Sequence, residues 1–291
     1  MNPIKEPFIP IDASPPVNLQ VSTDGTRKYI FRTAGGYSIE TVCIPEQERY
    51  TLCISTQAGC RMGCRFCMTG RQGFLANLST DEILNQIRSV PEFLKLTNIV
   101  FMGMGEPFDN LDAVMASIGI LTSHRGFNIP PRRITVSTAG VLPGIRVFLE
   151  KTRCPLAVSL HSPFADERRS LMPIENAYPL SEVISVIRQT PVSSQRRLFF
   201  EYILFKDFNH SQRHVDELAR LLQGLRCRIN LMRMHPVPGI PLESPDDQAL
   251  LAFRDALLEK GFVVTVRRSR GHDIAAACGL LAPRCGEGVS A

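Results

Sequence analysis

The chain has 291 residues, of which 44% are hydrophobic, so it can bury the core of one α/β barrel or of two ordinary domains. Its formal net charge of +5 is compatible with an RNA partner but does not by itself indicate one.

Residues 1–20 are broken by proline and show no apolar signal segment, and no apolar run approaches the ~20 residues of a membrane span. We therefore expect no membrane contact. Nine cysteines without a signal segment indicate reduced thiols and a cytoplasmic location rather than a disulfide framework.

Strand and helix patterns alternate along most of the chain. Residues 1–27 are rich in Pro, Asp and Ser and predict an irregular lead-in, and a Gly-Gly turn within 28–44 predicts a β-hairpin. Further strands are predicted at 51–56, 98–103, 133–140, 155–161, 198–205, 228–234 and 262–268. Helices are predicted from Ser79 onward and over 110–123, 141–151, a stretch reaching about 190, 211–223 and 244–260.

Six strand–helix units predict parallel strands, because each parallel crossover needs a helix. A partial (β/α)6 barrel and an open doubly wound sheet both fit this alternation. We favour the barrel, because polar residues cluster at the carboxyl ends of successive strands, where parallel barrels carry their chemistry. The expected fold class is α/β, with the N-terminal hairpin and a C-terminal segment extending the barrel. The expected division is a lead-in and hairpin at 1–45, a catalytic core at 46–285 and a tail at 286–291.

Three cysteines, Cys60, Cys64 and Cys67, have C-x3-C-x2-C spacing. Three thiolates at this spacing can hold three irons of a cubic [4Fe–4S] cluster, whose full protein complement would be four. The fourth iron is then free to bind a small molecule and to pass it one electron. A zinc site is the alternative, but it needs a fourth ligand. Only Cys53, seven residues upstream, is a candidate for that ligand.

Other candidate residues follow later strands. The glycines of MGMGEP permit close approach of the backbone to a ligand, and Glu106 offers acceptors for an ammonium group. Ser137, Ser159 and His161 also lie at strand ends. By themselves these three are typical of a helix cap or of a structural histidine.

The cysteine spacing resembles that of the radical S-adenosylmethionine (SAM) enzymes, in which the methionine amine and carboxylate of SAM chelate the fourth iron. More specifically, the chain is similar to the RlmN/Cfr family of radical-SAM RNA methyltransferases over roughly residues 28–285. The blocks that carry this resemblance are ETVCIPEQERYTLCISTQAGC, GCRFC, MGMGEP, ITVSTAG, SLHSP and RRSRGHDIAAACG.

The resemblance implies a radical-SAM barrel with a [4Fe–4S] cluster and SAM as cofactors. It also implies a one-electron reductant such as flavodoxin or ferredoxin. The implied substrate is an rRNA or tRNA adenosine methylated on a ring carbon, with C2 favoured over C8, the carbon that Cfr modifies. The implied SAM-binding residues are Gly105, Glu106, Ser137, Ser159, Leu160, His161 and His235.

The resemblance further implies a mechanism with two cysteines. Cys278 accepts a methyl group, and a 5′-deoxyadenosyl radical from a second SAM removes a hydrogen atom from it. The resulting carbon radical adds to adenine, and a base at the family position of Glu40 removes the C2 proton. Cys53 then attacks the Cys278 sulfur, which releases the RNA and leaves a disulfide for thiol exchange to reduce. On pattern alone, Glu40 is a solvent-facing hairpin residue and both cysteines are inert buried thiols.

The chain departs from the family pattern at two points. Longer family members carry an N-terminal helical accessory domain that contacts RNA, and this chain begins close to the catalytic core. We therefore expect a short member without that domain. His235 stands where the family has a SAM-contacting Asn, although an imidazole can still form a hydrogen bond.

Two other functions remain open from the sequence. One is a radical-SAM enzyme that acts on a non-RNA substrate, and the other is a non-enzymatic Fe–S or zinc-dependent RNA-binding module. Basic pairs at Arg132-Arg133, Arg168-Arg169 and Arg196-Arg197 predict solvated faces. Arg267-Arg268 and Arg270 lie near Cys278, where they could neutralise RNA phosphates. The remaining cysteines, which we expect to be structural, are Cys43, Cys154, Cys227 and Cys285.

Overall fold

A computed structural model describes residues 14–190, 196–237 and 239–282. Cys285, the tail and the first part of the lead-in therefore lie outside the described residues. The strands are β1 Asn18–Val21, β2 Arg27–Arg32, β3 Ser38–Glu46, β4 Arg49–Cys53, β5 Gln57–Gly59, β6 Phe74–Asn77, β7 Asn98–Phe101, β8 Ile134–Thr138, β9 Leu156–Ser159, β10 Leu198–Leu204, β11 Cys227–Arg233 and β12 Val263–Val266.

Apart from α1, which lies in a stretch predicted as loop, the α-helices fill the predicted intervals between the strands. They are α1 Met68–Gln72, α2 Thr80–Arg88, α3 Leu111–Thr122, α4 Leu142–Lys151, α5 Ala165–Leu171, α6 Leu180–Gln189, α7 Gln212–Leu222 and α8 Asp247–Glu259. The Ser79 side chain caps α2 by accepting the Glu82 N–H, and the Glu82 side chain accepts the Ser79 N–H in return. The stretch predicted to reach about 190 is two helices, because Pro173 and Pro179 interrupt it. No helix within the described ranges is both long and apolar enough to cross a bilayer.

Strand order decides between the two predicted architectures. Ten strands form one sheet in the order β1-β2-β3-β4-β7-β8-β9-β10-β11-β12. From β4 to β12 every neighbouring pair is parallel, and spatial order follows chain order without reversal. A doubly wound sheet requires a point at which the order reverses. The partial barrel is therefore confirmed, with β12 extending it as expected.

The N-terminal part of the sheet is antiparallel. β2 and β3 form the predicted hairpin, and β3 pairs with β4, so the hairpin continues the barrel wall. β1 was predicted to be irregular, but it pairs with β2 as an edge strand. Pairing with a neighbour can form a strand that shows no pattern of its own, and Leu19 and Val21 of β1 are exposed. β3 runs to Glu46, one residue past the boundary expected at 45, and the domain division itself stays a prediction.

The C-terminal segment that follows β12 contacts the turn between β1 and β2. The Ser22 hydroxyl and the Thr23 N–H donate to the Asp273 carboxylate, and the Gly271 N–H donates to Asp24 at 3.0 Å. At its other end, the Gly279 carbonyl accepts the N–H of Met68, the first residue of α1, at 2.7 Å. Cys278 is thereby fastened beside the cysteine loop.

Two of the basic pairs expected on solvated faces contain an arginine that is buried or half-buried. Arg168 is fully buried, and Arg196 donates to the carbonyls of Leu149 and Thr152. The prediction was wrong at these two residues because their partners, backbone carbonyls and for Arg168 also Glu175, come together only in the folded chain. Arg197, Arg169 and Arg132 are exposed as expected.

Arg168 joins the ends of two neighbouring strands. Its guanidinium donates to the Ala139 carbonyl at 2.6 Å, the Ser159 carbonyl at 3.0 Å and the Leu160 carbonyl at 3.2 Å, and it pairs with buried Glu175. These carbonyls follow or end β8 and β9. Arg168 therefore fixes the strand ends at which the predicted site residues lie.

We expect Arg168→Ala to lower the free energy of unfolding by about 3–5 kcal/mol, the usual cost of leaving a buried charge without its partner. The loss has this size because Glu175 and three carbonyls lose their donor together. Urea denaturation measures it, and Arg169→Ala is the matched control because Arg169 is exposed on the same helix. Equal stability of the two variants contradicts the structural role of Arg168.

Candidate active site

An open cavity lies at the carboxyl ends of the parallel strands. Nine of the predicted site residues line it, namely Cys60, Cys64, Cys67, Gly105, Glu106, Ser137, Ser159, His161 and Cys278. They come from five separate segments of the chain. The barrel therefore gathers the residues that the sequence placed at successive strand ends.

The cysteine loop projects from a short antiparallel ribbon of β5 and β6, which the sequence did not predict. The Cys60 N–H donates to the Gly73 carbonyl at 2.8 Å and closes the base of this loop. Burial raises the pKa of the Cys60 thiol to about 12. Burial also raises the pKa of Cys64, and the charges of Cys67 and Cys60 add to that rise. Cys60 is buried, Cys64 and Cys67 are half-buried, and all three line the cavity.

This arrangement fits an iron–sulfur cluster. Across residues 14–190, 196–237 and 239–282, no three His, Cys, Asp or Glu side chains lie close enough to share a single metal ion. A cubane takes its thiolates on separate irons, so its ligands stand further apart than those of one zinc ion. Cys60, Cys64 and Cys67 could hold three irons, and the cavity beside them leaves room at a fourth.

The loop after β7 requires glycine at position 105. Gly105 has a φ of +95°, and a Cβ there would lie 2.6 Å from the Cβ of Gln57. The Gln57 side chain in turn accepts the Glu106 N–H at 2.8 Å and donates to Asp109 at 2.7 Å. The loop is thus held rigidly against the strand that leads into the cysteine loop.

The Glu106 carboxylate is buried and accepts three hydrogen bonds. Its donors are the Ala139 N–H and the Thr138 hydroxyl, both at 2.7 Å, and the Phe108 N–H at 3.0 Å. Burial raises its pKa to about 7, and these hydrogen bonds act against that rise. A carboxylate has about four acceptor positions, so one remains for a donor in the cavity.

Glu106 should make a pH-dependent contribution to the stability of the cluster-free protein. Its pKa of about 7 exceeds the ordinary 4.5, so between these values the folded protein keeps a proton that the unfolded chain has released. The contribution is complete below pH 4.5 and is lost as the pH rises through 7. As the pH rises from 4.5 to 7, we expect the free energy of unfolding of the wild type to fall by about 3 kcal/mol relative to that of Glu106→Gln. Urea denaturation at several pH values tests this, and a difference that does not vary with pH contradicts it.

His161 presents a neutral imidazole to the cavity. Its Nδ1 accepts the Ile203 N–H at 3.0 Å, so the ring proton lies on Nε2. Burial lowers its pKa to about 3, and the charge of Arg168 acts in the same direction. The ring packs edge-on against Phe66 of the cysteine loop, with 4.7 Å between centroids. His161 has a φ of +58°, which is uncommon for a residue other than glycine. Strained backbone of this kind is often found at functional sites, and His161 lines the cavity.

Ser137 and Ser159 line the cavity, whereas the side chain of Leu160 is buried in the core. The Leu160 backbone is held by the Glu201 carbonyl and by Arg168. Any part that Leu160 plays at the site therefore belongs to its backbone.

The structure brings Cys53 and Cys278 to the same region. Cys53 ends β4 and is buried, whereas Cys278 is exposed and lines the cavity. Burial raises the pKa of Cys53 to about 12. The charge of Cys278 contributes to that rise in pKa, and the charge of Arg267 acts against it. Only one of these two thiols is buried, so the expectation that both are buried was wrong at Cys278. The cause is its position in a segment held by contacts at its two ends.

Glu40 is buried, so its expected solvent-facing position on the hairpin was wrong. Its strand, β3, lies between β2 and β4 within the ten-stranded sheet. The Glu40 carboxylate pairs with the Lys28 ammonium at 2.9 Å, and its backbone N–H donates to the sulfur of Met104. Glu40 is not among the residues that line the cavity. Its role as a proton acceptor stays a prediction.

His235 also lies away from the cavity wall. Its Nε2 is 3.1 Å from the Ser269 hydroxyl, and its ring centroid is 5.2 Å from that of His272. Burial lowers its pKa, and the charges of His272 and Arg233 lower it further. Its contact with SAM therefore stays a prediction as well.

Two residues of the cavity wall, Glu201 and Arg267, were missed as site residues by the sequence reasoning. Glu201 had a visible signal, because it is a single charge in the apolar strand LFFEYIL. Arg267 was predicted to neutralise RNA phosphates, yet its guanidinium lies 3.5 Å from the Glu201 carboxylate. The side-chain direction of Arg267 depends on the barrel and could not be predicted locally.

Comparison with known proteins agrees with this geometry. The profile of the Radical SAM superfamily matches residues 54–222, more than half of the chain. The chain is 52% identical over 271 residues to the probable dual-specificity RNA methyltransferase RlmN of Phocaeicola vulgatus, covering 93% of this chain and 78% of that protein. It is 44% identical over 276 residues to the dual-specificity RNA methyltransferase RlmN of Desulfotalea psychrophila, with 91% and 76% covered.

A solved structure supports the same assignment. The crystal structure of a radical SAM methyltransferase from Sphaerobacter thermophilus superposes with a TM-score of 0.87 at 44% sequence identity. The match covers 91% of this chain and 80% of that one. The resemblance inferred from the sequence motifs is thereby confirmed, and the chain belongs to the RlmN family of radical SAM RNA methyltransferases.

Proposed function

We propose that this protein methylates a ring carbon of adenosine in RNA, C2 in preference to C8, with Cys278 as methyl carrier and Cys53 as its partner thiol. One observation carries the proposal: Cys278 lines the same cavity as Cys60, Cys64 and Cys67, and Cys53 ends β4, which pairs with β7, the strand whose following loop also lines that cavity. A simple methyl transfer to a nucleophilic atom needs no such second thiol. The names of the RNA methyltransferase relatives support RNA as the substrate class.

In this proposal, Cys60, Cys64 and Cys67 hold three irons of a [4Fe–4S] cluster. When bound, the cluster supplies the electron that cleaves SAM reductively, as the radical SAM family implies. The chain contributes a loop whose base is closed by the bond from the Cys60 N–H to the Gly73 carbonyl. Burial raises the pKa of all three thiols, so iron binding must displace their protons.

SAM would lie against the loop after β7 and the ends of β8 and β9. Glu106 keeps one acceptor position for the amine of the methionine part, and its other positions are used by protein donors. His161 offers its Nε2–H as a donor, because Nδ1 already accepts a backbone N–H. Ser137 and Ser159 add hydroxyl groups on the same wall.

The two thiols would divide the work by their positions. Cys278 is exposed at the cavity edge, where it can meet both a bound methyl donor and an RNA base. Cys53 is buried, so reagents in solution reach it less readily than they reach Cys278. Glu40 is the proposed acceptor for the C2 proton, and its pairing with Lys28 fixes the carboxylate in place.

RNA and an electron donor are the proposed partners. Arg268 is exposed next to the cavity residue Arg267, and Arg270 is nearby, so phosphates could be neutralised at the cavity edge. A one-electron reductant such as flavodoxin or ferredoxin would supply the cluster. Cytoplasmic thiols would reduce the Cys53–Cys278 disulfide after each turnover.

Anaerobic turnover tests the proposal. The cluster-reconstituted protein is incubated with SAM, dithionite and unmodified bacterial RNA, and the digested nucleosides are analysed by mass spectrometry. We expect 2-methyladenosine with the wild type and none with Cys278→Ala. SAM cleavage without any methylated adenosine would indicate a non-RNA substrate. A protein that binds RNA but never cleaves SAM would be the non-enzymatic module.

A further inference from the structure

The chain makes a left-handed turn at His161, shortly after the end of β9. His161 has a φ of +58°, and across it the Ser162 N–H donates to the Leu160 carbonyl at 2.7 Å. A residue other than glycine keeps such a conformation where the surrounding structure holds it there. His161 is also buried, so its neighbours in the fold must supply that support.

The side chain of Asn209 contacts this turn. Asn209 lies in the loop between β10 and α7, is fully buried and is not among the residues that line the cavity. Its Nδ2 donates to the His161 carbonyl at 2.6 Å and to the Ile203 carbonyl at 2.7 Å, and its Oδ1 accepts the Phe205 N–H at 2.8 Å. Two carbonyls require the amide nitrogen and one N–H requires the amide oxygen, so these partners fix the orientation of the amide.

The His161 ring is held by the same end of β10. The Ile203 N–H donates to Nδ1 of His161 at 3.0 Å, while the Ile203 carbonyl accepts a hydrogen bond from Asn209. Phe66 packs against the His161 ring and also against the ring of Phe205, with 5.7 Å between the two phenyl centroids. Asn209 therefore ties the backbone of His161 to the strand end that orients its imidazole.

From these contacts we infer that Asn209 is a positioning residue, which holds the turn at His161 so that the Nε2–H of the imidazole is presented to the cavity. The inference rests on the proposed function, in which that Nε2–H donates to SAM. Asn209 does not itself line the cavity, so it acts on SAM binding through His161.

A role confined to the loop is the competing explanation. The Tyr202 hydroxyl donates to the Asn209 backbone carbonyl at 2.7 Å, and the bond from the Phe205 N–H closes the loop from within. These two contacts stabilise the loop whatever side chain stands at position 161. If Asn209 acts through the imidazole, removing the imidazole cancels the effect of Asn209 on SAM affinity. If Asn209 acts only on the loop, that effect persists.

A double-mutant cycle measures this difference. The SAM dissociation constant is determined by anaerobic calorimetry on the cluster-reconstituted wild type, Asn209→Ala, His161→Gly and the double variant. Glycine adopts the left-handed turn without strain, so His161→Gly keeps the backbone while it removes the ring. We expect SAM binding to weaken about tenfold in His161→Gly and about fivefold in Asn209→Ala, within the range that one lost hydrogen bond gives. In the double variant we expect the same loss as in His161→Gly.

Tyr202→Phe is the matched control for the loop. This variant removes the hydrogen bond to the Asn209 carbonyl and leaves the Asn209 side chain and the turn at His161 in place. We therefore expect it to bind SAM with the affinity of the wild type. An equal loss of affinity in Tyr202→Phe and Asn209→Ala would overturn the inference, because loosening the loop would then be sufficient.

Two other results would overturn the inference. One is an unchanged SAM affinity in Asn209→Ala, and the other is a pair of losses that multiply in the double variant, to about fiftyfold. In the second case Asn209 would act independently of His161. If Asn209→Ala does not fold, Asn209→Ser takes its place in the cycle, with the same expected and contradicting results.

The cycle separates this inference from the proposed function. An unchanged SAM affinity in His161→Gly would remove the histidine from SAM binding and the inference with it, while the methyltransferase proposal would stand and be tested by the nucleoside experiment. A wild type that carries its cluster and binds no SAM would contradict both.

Discussion

Cys60→Ala should abolish the iron–sulfur cluster and, with it, all reductive cleavage of SAM. Two thiolates remain in this variant, and they cannot hold a cubane with one iron free of protein ligands. Cys60 has a further role, because its N–H closes the base of the loop at Gly73. That backbone bond survives the substitution. The loss should therefore come from the missing thiolate and not from an unfolded loop.

The measurements are iron and sulfide per chain, visible absorbance, and 5′-deoxyadenosine formed after reduction. We expect all of them to fall to background in Cys60→Ala. Cys227→Ala is the matched control, because Cys227 is partly buried in β11 and does not line the cavity. Full iron content and normal 5′-deoxyadenosine in Cys60→Ala would remove Cys60 from the ligand set.

The parts of the fold that the sequence predicted have short-range causes. A parallel crossover needs a helix, so the alternation of strands and helices predicted the barrel, and Pro or Gly marked most ends. The cysteine spacing and the glycines of MGMGEP are also local. Gly105 illustrates this, because its positive φ and its approach to Gln57 admit glycine alone.

The errors concern residues whose environment is set by distant parts of the chain. Glu40 was expected to face solvent as a hairpin residue, but β3 lies inside the sheet. Arg168 is adjacent to exposed Arg169, yet it finds three carbonyls from two strand ends and Glu175. The direction of Arg267 likewise depends on Glu201 of another strand. None of these partners can be assigned before the barrel is assembled.

The short ribbon of β5 and β6 was missed for a different reason. Its strands have three and four residues, too few to establish an alternating pattern. The ribbon is formed by the closing bond from Cys60 to Gly73 and by the pairing of Gln57 with Asn77. The shape of the cysteine loop thus follows from contacts that the spacing of its cysteines does not encode.

Removing either thiol should stop the proposed reaction, but at a different stage in each case. Cys278→Ala has no methyl acceptor, so we expect neither S-methylcysteine nor any RNA adduct. Cys53→Ala keeps the exposed Cys278 and all three cluster cysteines on the cavity wall. It should accept a methyl group and add to adenine, but it lacks the thiolate that attacks the Cys278 sulfur. We therefore expect RNA to accumulate in covalent attachment to Cys53→Ala.

Protein expressed in cells and run on a denaturing gel shows the adduct as a retarded band. Nuclease treatment followed by mass spectrometry identifies the attached nucleotide and the cysteine that carries it. Cys227→Ala serves again as the control and should give no adduct. Because Cys53 is buried and Cys278 is exposed, an adduct on Cys53 would reverse the assigned roles. A clean monomer band from Cys53→Ala with normal methylated product would contradict the two-thiol mechanism altogether.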